Sequence, residues 1–171
     1  MRIRRSRSDF LALEARFLAA ADDSGLEDLV PVVEERGYLT RAELLRICRW
    51  KSPRALPLVA RNEETDVREV TSWAFGTRSE RLRIGSLLLL QGVSWPTASV
   101  ILHFFHSDPY PVLDVRAAWS LGMEHASGYT FELWWRYVGE CRALAQRLSL
   151  SMRTVDRALW QYSRENERRG A

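Results

Sequence analysis

Apolar residues recur at three- and four-residue intervals along the whole chain, and no stretch shows the period of two that a half-buried strand needs. The pattern therefore predicts an all-α fold. Phe10, Leu13, Phe17 and Leu18 share one face of a first helix over Asp9–Ala21, and a second helix runs from about Leu26 to Glu35, ending at Gly37. Thr40-Arg-Ala-Glu43 has the form of a capping box and opens a third helix through Trp50. Pro53 suits the first turn of a short fourth helix ending near Arg61. Asn62 is expected to cap a fifth, with Glu63, Glu64 and Asp66 at its positive end and Gly76 after its last turn. Ser79 caps a sixth helix reaching Leu90. The tight connection Gln91-Gly92-Val93-Ser94 leads into a seventh over Pro96–Phe105, and a loop with Pro109 and Pro111 follows. Asp114 caps an eighth helix that stops at Gly122, Thr130 opens a long ninth to about Leu148, and Ser151 caps a tenth that frays into Arg164–Arg169.

The 171 residues are 46% apolar, enough to bury a core without a staple. With no repeat and no dividing linker, a single helical domain is expected, a compact multi-helix bundle over residues 1–171. No apolar run approaches the ~20 residues of a membrane span; the densest, Ile84–Leu90, is broken by Gly85 and Ser86. The basic start, with Arg2, Arg4, Arg5 and Arg7, lacks the apolar region of a secretory signal, so an intracellular, cytoplasmic location is expected. Cys48 and Cys141 sit among helical apolar residues and read as buried free thiols. Neither they nor His103, His106 and His125 have metal-ligand spacing, so no metal and no cofactor is expected. A net charge of +3 and a pI near 9.2 are compatible with a nucleic-acid partner. Among 25 cationic residues Lys51 is the only lysine, which limits amine chemistry to one side chain.

Residues Leu87–Leu102 read LLLLQGVSWPTASVIL, two apolar helices around a glycine turn. Glycine there allows positive φ and close backbone approach, and the next helix turns its N–H groups outward, as a phosphate site requires. Leu90, Gly92, Val93, Thr97 and Ala98 lie where the helix-hairpin-helix element of the endonuclease III and adenine glycosylase superfamily has its motif residues. Asp114 follows Gly92 by 22 positions within Pro111-Val-Leu-Asp114-Val-Arg116, similar to that family's run into its catalytic aspartate. The resemblance covers about 35 residues, Leu87–Leu121. It implies a central hairpin at 87–105 in a helical core of about 40–150, duplex DNA as partner, and Asp114 as the catalytic carboxylate. It further implies DNA contacts from Gly92, Val93, Ser94, Trp95, Thr97 and Arg116. Three departures shape the expectation. Ser94 replaces the second glycine, Trp95 and Pro96 replace basic residues, and Pro96 stands where bifunctional members carry a lyase lysine. The four-cysteine iron–sulfur pattern is missing as well. The implied activity is that of a monofunctional glycosylase without a cluster.

Trp50-Lys51-Ser52-Pro53-Arg54 is a second candidate segment, in which Trp50 can stack a flipped base while Lys51 or Arg54 meets a base edge or phosphate. Each candidate also has a plainer role. Asp114 is a helix cap, Trp50 a core residue, and the basic tail at 164–171 a solvated end. Trp73, Trp119, Trp134, Trp135 and Trp160 read as core, whereas Trp95 stands at the hairpin tip as a candidate DNA wedge. His103 and His106 are expected to complement the seventh helix's dipole as cations. Two alternatives to the glycosylase stand beside it: a non-catalytic DNA- or nucleotide-binding protein of the same fold, and a helical protein-interaction module.

Overall fold

A computed structural model describes residues 6–20, 25–123 and 128–167; Ala21, His125, Arg168, Arg169 and the arginines at positions 2, 4 and 5 lie outside them. The described chain is all-helical: α1 (Arg7–Ala20), α2 (Val30–Arg36), α3 (Arg41–Lys51), α4 (Leu56–Val59), α5 (Glu64–Gly76), α6 (Glu80–Leu87), α7 (Trp95–Phe105), α8 (Val115–Ser120), α9 (Phe131–Leu148) and α10 (Met152–Asn166), with 3-10 turns at Glu27–Leu29 and Pro53–Ala55. Local chemistry explains most boundaries. Thr40 accepts from Glu43 N–H while the Glu43 carboxylate accepts from Thr40 N–H, which completes the capping box. Ser79, Asp114, Thr130 and Ser151 each cap with a side-chain oxygen. Gly37 takes the left-handed conformation that ends α2.

Several boundaries depart from expectation; α2 starts at Val30 rather than near Leu26, after the 3-10 turn Glu27–Leu29. The short fourth helix is split because Pro57 has no N–H for the Pro53 carbonyl. That carbonyl instead accepts from Leu56 N–H as a 3-10 bond, and α4 restarts at Leu56. α6 ends at Leu87, since Leu89 N–H and Leu90 N–H donate three residues back, to Ser86 and Leu87. Asn62 is not the side-chain cap of α5; Glu63 holds that position and no side chain caps it.

The chain forms two compact units. One joins α1 to everything after Pro109. In it α10 packs against α1, α8 and α9. α9 contributes the stripe Trp134, Tyr137, Val138, Cys141 and Leu144, spaced at three and four residues and buried, with Arg136, Glu140 and Arg147 exposed opposite. Arg16 makes a two-pronged bond to Glu165 at 2.7 and 3.0 Å, tying α1 to α10. The other unit is the continuous stretch 24–109, in which α7 packs on α2, α3 and α6, and α5 on α3 and α6. Burial of Thr97, Ala98, Ser99, Val100, Ile101, Leu102 and Phe105 makes α7 apolar around most of its circumference. Cys48 and Cys141 are buried free thiols, each pushed above its ordinary pKa by burial. Among the described residues no helix is long and apolar enough to cross a membrane.

Candidate nucleic-acid interface

The α6–α7 connection is built around one glycine. Val93 N–H donates to Leu90 C=O at 3.1 Å, closing a turn in which Gly92 is third and takes φ +77°. A Cβ on Gly92 would lie 2.8 Å from Val59 Cγ2, 2.9 Å from the Val59 backbone nitrogen and 3.0 Å from Leu58 Cβ. Position 92 therefore needs glycine twice, for its torsion and for the close approach of α4. Asn62 completes the junction. Its Oδ1 accepts from Gln91 N–H at 2.8 Å, and its Nδ2 donates to Gln91 C=O and Val59 C=O, each at 2.9 Å. This buried amide, 5% exposed, pairs with the turn as a strand neighbour would.

Beyond the turn Val93 is buried, Ser94 exposed, and Trp95 half-buried at the first position of α7. Ser94 C=O accepts from Ala98 N–H, but the Ser94 hydroxyl does not cap the helix, unlike Ser79 or Ser151. Thr97 is buried in the first turn, and its hydroxyl bonds that of Ser52 at 3.2 Å. The two candidate segments of this unit, 50–54 and the glycine turn, therefore meet at α7. Within the first segment Arg54 is exposed on the 3-10 turn and Lys51 half-buried at the end of α3. Trp50 is packed: its ring meets Phe104 edge-on at 5.8 Å, and its Cδ1 lies 2.9 Å from where a Cβ on Gly25 would be. Trp50 is thus half-buried and packed against its own unit rather than standing free at the surface.

Asp114 and Arg116 belong to the other unit. Asp114 Oδ1 accepts from Arg116 N–H at 2.9 Å, holding the carboxylate at the start of α8. The half-buried Tyr129 phenol is pushed above its ordinary pKa, first by burial and then by the Asp114 charge. Arg116 is engaged already: its guanidinium lies over Trp160 at 5.5 Å and 3.7 Å from Glu167. Binding a phosphate there means competing with Glu167. Arg164, on the same helix as Trp160, stacks on that indole at 5.6 Å.

The tryptophans divide. Trp134 is fully buried, Trp119 and Trp160 are half-buried, and Trp73 and Trp135 are 58% and 38% exposed, contrary to a core placement for all five. Trp73 lies on the face of α5 opposite Val67, Thr71 and Ala74, and borders two surface clefts of about 660 and 460 Å³. Leu82 and Leu89, 53% and 76% exposed, line the second. The helix-dipole role expected of a cationic His106 also fails. Its Nε2 touches the buried Arg83 side chain, its Nδ1 accepts from Asp108 N–H at 2.9 Å, and burial followed by the Arg83 charge lowers its pKa. The neutral ring is the favoured form. Arg83 in turn donates to the Ala74, Phe75 and Thr77 carbonyls at the end of α5.

Sequence reasoning found Gly92 and the Asp114 cap, whose signals are local, and missed Asn62, whose asparagine-before-acids pattern reads as a helix start. No protein-family model matches the chain, and neither a curated protein nor a solved structure was found to match it.

Proposed function

We propose that the chain binds duplex DNA through the α6–α7 turn and acts as a monofunctional DNA glycosylase, with Asp114 as the catalytic carboxylate. The observation that carries the reading is the turn itself. Gly92 is left-handed and closely packed, and the following helix opens without a side-chain cap from Ser94. A phosphate oxygen suits such a helix start, because the first-turn N–H groups and the helix dipole favour an anion. Ser94 and Trp95 lie at the surface of that turn, over the buried Val93 and Thr97; Arg116, in the other unit, is a separate candidate DNA contact that would have to exchange Glu167 for a phosphate.

In the chemical step, a base turned out of the duplex loses its bond to the sugar as positive charge develops on the ring carbon and oxygen. The Asp114 carboxylate, one oxygen of which accepts from Arg116 N–H, stabilises that charge or accepts a proton from the attacking water. The base leaves with the bonding electron pair and water adds to the sugar carbon. Pro96 supplies no amine, in keeping with hydrolysis, and Lys51 is the only side-chain amine available for a lyase step.

A base-excision assay tests this. Duplexes carrying uracil, oxidised, alkylated or hypermodified bases are treated with protein and then hot alkali. Alkali-dependent cleavage that disappears in Asp114→Asn is expected; full activity in that variant refutes the mechanism. Binding that falls with salt but releases no base on any duplex moves the reading to a non-catalytic DNA-binding protein. The exposed Trp73, Leu82 and Leu89 favour a third reading, a helical protein-interaction module. Complete lack of DNA binding at low salt, with self-association abolished by Leu89→Ser, supports it instead.

A further inference from the structure

Tyr110 and Leu113 are fully buried and Val112 is 7% exposed, yet the stretch 110–113 belongs to no helix. Backbone in that state must find partners outside regular structure, because each orphaned polar group costs about 1–3 kcal/mol. At Val112 both partners are side chains. Its N–H donates to the two carboxylate oxygens of Asp156, at 3.1 and 3.0 Å, and its C=O accepts from the Tyr137 hydroxyl at 3.0 Å. Asp156 comes from α10 and is 8% exposed; Tyr137 comes from α9 and is fully buried. The peptide groups on either side of Val112 are thus held from two different helices.

Two residues on, Asp114 is held from its other side by Arg116 N–H. Between these fixed points lie the Leu113 unit and the Asp114 torsions, and the fully buried Leu113 side chain restrains the first. We propose that Tyr137 and Asp156 are positioning residues which, by clamping Val112, set where the Asp114 carboxylate stands. This rests on the glycosylase reading for its catalytic consequence but not for its geometry. Burial and the neighbouring Cys141, Asp156 and Asp114 keep the Tyr137 phenol protonated, as its donor role requires. Cys141 neighbours the same hydroxyl, so Cys141→Ala alters the phenol's surroundings and leaves the bond to Val112.

Carbon-13 NMR of aspartate side-chain carboxyls reads the position of Asp114 without requiring catalysis. Tyr137→Phe, with folding checked by circular dichroism, is expected to move the Asp114 carboxyl chemical shift while leaving the chemical shifts of Asp28 and Asp66 where they are. Cys141→Ala is expected to leave Asp114 where it is. Asp156→Asn retains an acceptor for Val112 N–H and is expected to cause a smaller change. On a duplex that the wild type cleaves, Tyr137→Phe should lower the single-turnover rate about 10- to 100-fold at unchanged DNA affinity, the range for small misplacement of a reacting group. An Asp114 signal unmoved in folded Tyr137→Phe overturns the proposal. A moved signal in a protein that excises no base upholds the clamp and rejects the glycosylase reading.

Discussion

Alanine at position 92 gives the sharpest test of the turn. The substitution adds one methyl group, and the structure supplies two separate costs for it. The torsion of +77° is one that L-residues other than glycine adopt at about 1–2 kcal/mol. The new Cβ would also stand 2.9 Å from the Val59 backbone nitrogen and 2.8 Å from Val59 Cγ2. Val59 Cγ2 can turn aside, but the nitrogen belongs to α4 and can retreat only if the helix moves. Overpacking of that kind costs about 1–3 kcal/mol, giving a total of about 2–5 kcal/mol. For a chain of this size that corresponds to a melting temperature lower by about 5–20 °C. Gly37 provides the control: its φ is +78°, nearly identical, but nothing lies within 4 Å of an added Cβ. Gly37→Ala should show the torsional cost alone. Parallel thermal melts of the two variants therefore isolate the steric cost, and a Gly92→Ala protein no less stable than Gly37→Ala refutes the argument for close packing at the turn.

Two further outcomes follow from unit 24–109. Asn62→Ala removes the side-chain bonds to the Gln91 N–H and C=O, at about 0.5–1.5 kcal/mol each because Gln91 lies at the surface and water can replace the partner; denaturant unfolding should show the loss, and hydrogen exchange at the Gln91 amide should accelerate. His106 predicts the pH dependence. Its folded pKa lies below the ordinary 6.5, so the unfolded chain binds the proton more readily and stability is fully present above about pH 6.5. Stability is then lost as pH falls toward the folded value; melts between pH 7.5 and 5 should show this decline, and His106→Gln should flatten it.

Legibility in the sequence tracked the range of the interaction concerned. Thr40, Ser79, Asp114, Thr130 and Ser151 announce helix starts because a cap needs only its own first turn. Gly92 is legible for a similar reason, since a tight connection between two apolar helices calls for a left-handed residue. Asn62 fails the same logic: its amide is drawn to Gln91, 29 residues away, and that partner outcompetes the local cap. The bond between Ser52 and Thr97, spanning 45 residues, has no sequence signature, so the adjacency of the two candidate segments emerges only in the fold. Tyr137 and Asp156 look like ordinary members of amphipathic helices until the buried, non-helical backbone at Val112 that they satisfy comes into view. The exposure of Trp73 was hidden because helical spacing assigns a face, whereas the width of the buried stripe depends on which neighbours cover it.

The tie between Arg16 and Glu165 joins residues 149 positions apart, and α1 finds its packing partner in the helix made last among those described. On a growing chain α1 therefore emerges early and waits, its apolar face at Phe10 and Leu13 uncovered, while the contacts within the continuous stretch from 24 to 109 can form as soon as it is synthesised. Order of assembly is thus written into the chain: a unit of continuous sequence whose own contacts can form during translation, and a discontinuous one that closes only when α10 arrives. Each doubling of the chain between two contacts adds about 0.6 kcal/mol to the entropy of closing them, a modest equilibrium term. The delay is a matter of time rather than stability, and it leaves the apolar face of α1 exposed to aggregation until α10 is made.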